Sequence, residues 1–234
     1  VALSLRGTAV SGTGAPDPTV TLPVGTATDD VVYVAFNTPG TSNIDQDLVM
    51  ITTGYTELAD LFQNDLSDTQ LGVFRKIMGA TPDSSAQCET TTTNGIAVCH
   101  VWTGVDLTTP EDATTTTAGA TDDGTPQPPS IVTATANAIV LAIGGSSEAD
   151  AVTNAPTGYS NLIDLQHTAM NVMISSKLVA SPGTETPGRY ADIAGTAADT
   201  WCAATVAIRP AAAAVVLIPR PTIINQAVQR AASW

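Results

Sequence analysis

The sequence predicts an all-β protein: a jelly-roll-like antiparallel β-sandwich built from two similar halves, followed by a C-terminal arm with room for a short helix. Three observations carry this expectation. Charged residues make up only 13% of 234, below the usual quarter, while Thr, Ala, Ser, Gly and Pro abound. That composition suits short strands joined by turns and suits surface helices poorly. The stretch TGYTELADL at 53–61 returns as TGYSNLIDL at 157–165, identical at six of nine positions. The same succession of apolar patterns surrounds both copies.

Upstream of the copies stand VVYVAF (31–36) and AIVLAI (138–143), continuous apolar β-prone runs of the kind shown by strands covered on both faces. Downstream, QLGVFRKIMGA (70–80) and MNVMISSKLVA (170–180) alternate apolar with smaller or polar residues, and each has a lysine near its end, Lys76 and Lys177. GIAVCHVWTG (95–104) and CAATVAIRP (202–210) then close the two halves. Further strands near 3–6 and 19–22 are expected to extend the sheets. PQPP at 126–129, after a Thr run at 114–117, reads as the connector. The half-repeats thus span about 19–110 and 130–210. Their offset drifts between 101 and 107 residues, too long for a solenoid unit and short for independent domains. One sandwich over residues 1–210, each half covering the face the other leaves open, is the reading; two small sandwiches in tandem is the alternative.

Within the echo, Gly54 and Gly158 suit a turn of positive φ. Tyr55 and Tyr159, Leu58 and Leu162, and Leu61 and Leu165 read as packing residues. Asp60 and Asp164 read as strand-end caps or solvent-facing acids, with a pair of ligands as the alternative.

Charge is unevenly placed. The net charge is −14, which disfavours nucleic-acid binding through phosphate contacts. Residues 1–199 hold all 22 acids and five of the eight basic residues, a net of −17, whereas 200–234 hold three arginines and no acid. No apolar run reaches the ~18 residues of a membrane span. The opening VALSLRG shows no basic-then-apolar leader pattern, and the chain holds no N-x-S/T sequon.

Catalytic motifs are missing: there is no G-x-S-x-G, H-E-x-x-H, Walker loop or dinucleotide-binding glycine turn. No catalytic, cofactor-binding or metal-binding residue is assigned, and no cofactor is expected. His100, between Cys99 and Val101 in an apolar strand, reads as a buried, hydrogen-bonded histidine. The acids Asp29, Asp30, Asp45, Asp47, Asp122, Asp123, Glu148 and Asp150 read as solvated loop residues. If 92–95 form a four-residue hairpin loop, Cys88 falls opposite Cys99, where Cα atoms lie ~4.5–5.5 Å apart. A disulfide and two buried thiols are both open there. Aromatics are only 4%, with Tyr190 and Trp234 as the expected exposed ones, a poor basis for a sugar platform.

After residue 210 the sequence becomes AAAAVVLIPRPTIINQAVQRAASW. Pro219 and Pro221 favour an extended stretch, after which Thr222 can cap a helix. Ile223, Ile224, Ala227, Val228, Ala231 and Trp234 would give that helix one apolar face. Such a segment either folds back onto its own sandwich or serves as a docking arm over 211–234. In the arm reading Arg209, Arg220 and Arg230 meet acidic surface, and Ile223, Ile224, Val228 and Trp234 anchor it.

Three stretches, VWTGVDLTTP (101–110), the G-Y-x-x-L turns and ATVAIRPA (204–211), resemble runs in small β-sandwich accessory proteins of tailed bacteriophages. These are head decoration or cement proteins, head fibres and tail-associated proteins. Trp102 and Thr103 stand where an aromatic residue and Arg are common in that family. The resemblance spans most of 29–211, leaves the tail uncovered and brings no catalytic residue. It implies a virion structural protein and not an enzyme, most simply a capsid decoration or cement protein that stabilises the head shell. The implied partners are the major capsid protein or other virion proteins, with self-association as a dimer or trimer and no nucleic acid or membrane. The alternative is a carbohydrate-binding or receptor-binding module of a fibre or tail; a polysaccharide depolymerase ranks third.

Overall fold

The computed structural model describes residues 2–12, 16–39, 44–64, 68–89, 94–122, 124–168, 170–191 and 199–212, and among them there are strands and no helix. In chain order the strands are β1 (Ser4–Val10), β2 (Thr19–Thr21), β3 (Val31–Pro39), β4 (Val49–Met50), β5 (Thr56–Gln63), β6 (Thr69–Ile77), β7 (Ser85–Glu89) and β8 (Ile96–Thr103). There follow β9 (Thr116–Thr121), β10 (Ile131–Thr133), β11 (Ala138–Ser146), β12 (Ser160–Gln166), β13 (Asn171–Val179), β14 (Gly183–Glu185) and β15 (Thr200–Ile208). The jelly-roll-like double sheet is present, each main sheet drawn from one half of the chain. The first sheet runs β1-β8-β3-β6-β5 and the second β9-β15-β11-β13-β12, the same order of counterparts.

Registers make the counterparts specific. Val31 lies between Ile77 and Trp102, as Ile139 lies between Leu178 and Ile208. Gly54 and Gly158 take φ of 85° and 84°, and each turn is closed by a lysine over a tyrosine ring: Lys76 on Tyr55 at 5.4 Å, Lys177 on Tyr159 at 5.8 Å. Both lysines also pair with an acid, Asp83 and Glu185 respectively. Asp60 and Asp164 lie within β5 and β12 instead of capping their ends. Each accepts a backbone N–H twelve residues upstream, from Leu48 and Val152, at 3.2 Å in both cases, and so clasps the preceding loop onto its sheet.

The two sheets pack face to face. Val31, Tyr33 and Ala35 of β3, with Leu71, Val73, Ile96 and Val98, meet Ile139, Leu141, Ile143, Val172, Ile174 and Val206. Alternate residues of β3 and β11 point the other way and are buried as well, beneath smaller outer layers. On the first sheet the layer is β2-β7-β4, over Val32, Val34, Phe36, Cys99 and Val101. On the second it is the β10-β14 ribbon together with Tyr190. This double cover is why VVYVAF and AIVLAI are apolar without alternation.

At one pole the halves touch at equivalent positions. Asn37 of β3 meets its own counterpart Gly145, where a Cβ would come within 3.0 Å of the Asn37 side chain. The Asn37 amide donates to the carbonyls of Ser146 at 3.1 Å and Asn171 at 2.7 Å, and Thr69 and Thr200 hydroxyls meet at 2.7 Å. Each group leaves water only because the opposite sheet supplies its partner.

Several sequence expectations change. β2 pairs with β7 in an outer layer instead of extending a main sheet, and part of the Thr run is not linker but β9, the edge of the second sheet. The β7–β8 hairpin does not form: β8 already has β1 and β3 on its two edges, so β7 pairs with β2 and β4. Cys88 and Cys99 therefore lie in different layers of the outer core, as free buried thiols, not as a cross-strand pair. Tyr190 is buried, its hydroxyl donating to the Ala142 carbonyl at 2.6 Å. Asp30 is only 1% exposed and pairs with Arg6, so it is no solvated acid.

His100 is buried as expected, but neither ring nitrogen has a hydrogen-bond partner. The β8 alternation points it inward with Ile96, Val98 and Trp102. Burial pushes its pKa down to about 4, the nearby Asn161 backbone offsetting only part of that. The folded state thus refuses a proton that the unfolded chain accepts near pH 6.5. Its stabilising contribution is complete above that pH and is lost as pH falls toward 4, by up to about 3 kcal/mol. Asp60 and Glu148, whose carboxyls burial pushes up to about 6 and about 7, act in the opposite sense. Urea midpoints between pH 7 and 4 should therefore be compared for wild type and His100→Leu. The variant is expected to lose less stability on acidification, and parallel curves would contradict this account.

Candidate functional site

The other pole brings the stretches 101–110 and 204–211 together. Leaving β8, the chain turns at Gly104, with φ of 81°, and is then fixed by Asp106, whose Oδ1 accepts the N–H groups of Thr108 at 2.9 Å and Thr109 at 3.1 Å. An aspartate bonding the backbone two and three residues on is a turn-former by itself. Across from this turn the end of β15 runs antiparallel, with Val105 bridged to Pro210 and Glu111 to Ile208. Asp106 N–H donates to the Arg209 carbonyl at 3.0 Å, Arg209 N–H to Pro110 at 2.8 Å, and Ala211 N–H to Gly104 at 2.8 Å. GVDLTTP and IRPA, about a hundred residues apart in sequence, form one zipped structure.

Asp112 holds it from below. Its side chain is fully buried and accepts the N–H groups of Ala134 at 2.6 Å and Thr135 at 2.9 Å, the Thr135 hydroxyl at 2.6 Å, and an ion pair from Arg209 Nε at 3.3 Å. Burial alone would raise its pKa. The Thr135 and Ala134 donors and the Arg209 charge outweigh burial, so the carboxyl is held below its ordinary value. Beside it Glu111 takes Arg75 in a two-point pair at 3.1 and 3.4 Å and accepts the hydroxyl of Tyr33 at 3.3 Å. The pole is thereby tied directly to the sandwich core.

Above this base opens a cavity of about 640 Å³. Leu3, Ala136, Leu178 and Pro210 give it an apolar wall, and Asp106 and Arg209 a polar rim. Leu178 is 58% exposed here although it pairs in register with the buried Ile139. The lining offers hydrophobic contact, one cation already paired and one carboxylate already engaged in a turn. That set suits holding an apolar segment. Among the described residues no group of three or more His, Cys, Asp or Glu side chains is placed to hold a metal ion.

Of the residues assigned to the arm from the sequence, Arg209 belongs instead to the sandwich body, committed to Asp112. Arg220, Ile223, Ile224, Val228, Arg230 and Trp234 lie outside the described residues. Cys88 and Cys99 lie in the outer core of the first half, apart from this cavity. Sequence reasoning missed Asp112, Asp106 and Leu178. The D-x-T-T pattern signals the Asp106 turn, but nothing local marks an acid whose partners are 22 and 97 residues away. Comparison with known proteins finds no matching family model, curated protein or solved structure.

Asp112→Asn keeps the shape and loses charge and one acceptor beneath Arg209. It is expected to lower stability by about 1–3 kcal/mol at neutral pH. Because the folded carboxyl titrates below an unfolded aspartate near 3.9, the gap between wild type and variant should persist down to about pH 4 and narrow below it. Denaturant midpoints read this directly; equal midpoints at pH 7 would remove Asp112 from the role given to it.

Proposed function

We propose that the protein is a structural component of a tailed-phage particle, a decoration or cement protein bound to the head shell. The observation that carries the reading is the pole itself: the two stretches similar to phage accessory proteins, 101–110 and 204–211, zip together and form the root of the basic segment that follows. A rigid double sandwich with one functional end suits adhesion, since holding subunits together needs a stiff spacer and an anchored arm. The partner is then the major capsid protein or another virion protein, and copies of the chain associate as dimers or trimers around the symmetry of the shell. Charge supports the arm: a net of −17 over residues 1–199 against Arg220 and Arg230, with no acid after residue 199, favours contact with acidic surface. A carbohydrate-binding module on a fibre or tail has less support, because every aromatic among the described residues is buried or half-buried and none offers an open platform.

In particles assembled with a chain ending at residue 212, occupancy of the protein should drop at least about tenfold at limiting concentration, equivalent to ~1.4 kcal/mol of binding. Quantitative immunoblotting of purified particles measures it. Full occupancy would take the tail out of the mechanism, and absence of the intact protein from particles would overturn the virion reading.

A further inference from the structure

We propose that Cys88, Met50 and Cys99, in the outer core of the first half, bind one soft monovalent metal cation, the cuprous ion. The site stands apart from the pole where β15 ends and does not rest on the virion reading.

Strand pairing and layering bring the sulfurs together. Met50 of β4 is the register partner of Cys88 of β7, and the Cys88 thiol donates to the Met50 thioether at 3.5 Å. Alternation turns Ala97, Cys99 and Val101 of β8 toward the β2-β7-β4 layer, and Ala86 and Cys88 of β7 face back at them. Burial raises the pKa of the Cys88 thiol and the nearby Cys99 adds to the rise, so the two thiols lie within electrostatic reach of each other across the layers.

The chemistry of this set selects the ion. Thiolate and thioether sulfurs favour cuprous ions over harder cations. Charge selects it as well. Both thiols are fully buried among Val34, Phe36, Leu48 and Met78, where an ion is tolerated only with its charge cancelled. One cuprous ion on one thiolate is neutral. The step is a proton exchange: the Cys88 S–H proton passes to solvent as the Cu–S bond forms, and no electron changes hands. Met50 and Cys99, as thioether and neutral thiol, complete a three-sulfur set without adding charge. With the zinc–thiolate length of about 2.3 Å as a guide, sulfurs sharing an ion at trigonal angles lie roughly 4 Å apart. The Cys88–Met50 pair therefore needs only a small opening from its 3.5 Å separation.

A cleft of about 240 Å³ leads to the site, with Leu48, Met50, Gly54, Tyr55 and Phe74 in its wall. Met50 is half-buried, whereas Cys88 and Cys99 are 0% exposed. An entering ion thus meets the thioether first and passes inward to the thiols.

Internal symmetry points the same way. Val34 pairs with Cys99 as its counterpart Ala142 pairs with Thr205. In the second half the Thr205 hydroxyl donates to the Pro129 carbonyl at 2.6 Å, and the Tyr159 hydroxyl to Glu185 at 3.3 Å. The first half has a thiol in place of Thr205, and the buried hydroxyl of Tyr55 has no hydrogen-bond partner among the described residues. Hydrogen bonds between oxygens close this layer in one half, and sulfur takes their place in the other.

The test titrates the full chain with cuprous ion, without oxygen, in competition with the coloured chelator bicinchoninate. Wild type is expected to capture one ion per chain. Met50→Leu, a volume-conserving swap that keeps the fold, should weaken capture at least about tenfold, and Cys88→Ala at least about a hundredfold. Cys202→Ala removes the buried thiol of the central core and should leave capture unchanged. No capture by wild type, capture lost with Cys202→Ala, or capture unchanged by Met50→Leu or Cys99→Ala would each overturn the proposal. X-ray absorption at the copper of the wild-type complex needs no variant: sulfur neighbours are expected, and nitrogen or oxygen neighbours in their place would also overturn it. Neither readout involves a virion partner, so failure of the metal site and failure of the virion reading are distinguishable.

Discussion

Everything in the architecture depends on one constraint: each five-stranded sheet carries an apolar face that only the other sheet can cover. Val31, Tyr33 and Ala35 on one side and Ile139, Leu141 and Ile143 on the other are buried because they face each other, not because either half wraps around them. At about 25 cal/mol per Å² of apolar surface, leaving such a face in water would exceed the net stability of an ordinary domain. The Asn37–Gly145 contact shows how specific the mating is. The halves use different residues where these equivalent positions meet, an amide opposite a glycine, since two side chains could not share that space.

Much of this was legible in the sequence, and the reasons differ from element to element. Repetition disclosed the halves, because TGYTELADL and TGYSNLIDL preserve the residues that a positive-φ turn and a lysine-on-tyrosine clamp require. The lack of alternation in β3 and β11 disclosed that both faces are covered. What covers the outer faces was not legible. Short strands such as β2, β4, β10 and β14 have two or three residues each, too few to show a period. The mistaken hairpin at Cys88 and Cys99 has the same origin: strands adjacent in sequence usually pair, but the edges of β8 were already taken by β1 and β3. His100 was legible as buried but not as unpartnered, since its lack of a partner is a property of the facing sheet.

The candidate site illustrates a further limit. The Asp106 turn is local chemistry and can be read from DLTT. Asp112 gathers Ala134, Thr135 and Arg209 from two separate stretches, and the exposure of Leu178 is apparent only beside its covered counterpart Ile77. In this chain internal symmetry does the work that an external relative does elsewhere: each half is the reference against which departures in the other become visible. The principal departure is at the pole where β15 ends, and the proposed adhesion grows from it.

The central claim is that two halves share a single core. Scanning calorimetry tests it most directly, by comparing the calorimetric enthalpy of unfolding with the van't Hoff enthalpy from the shape of the transition. One transition with the two enthalpies equal is the predicted result. Two resolved transitions, or a calorimetric enthalpy about twice the van't Hoff value, would mean that the halves fold as separate units and would contradict it.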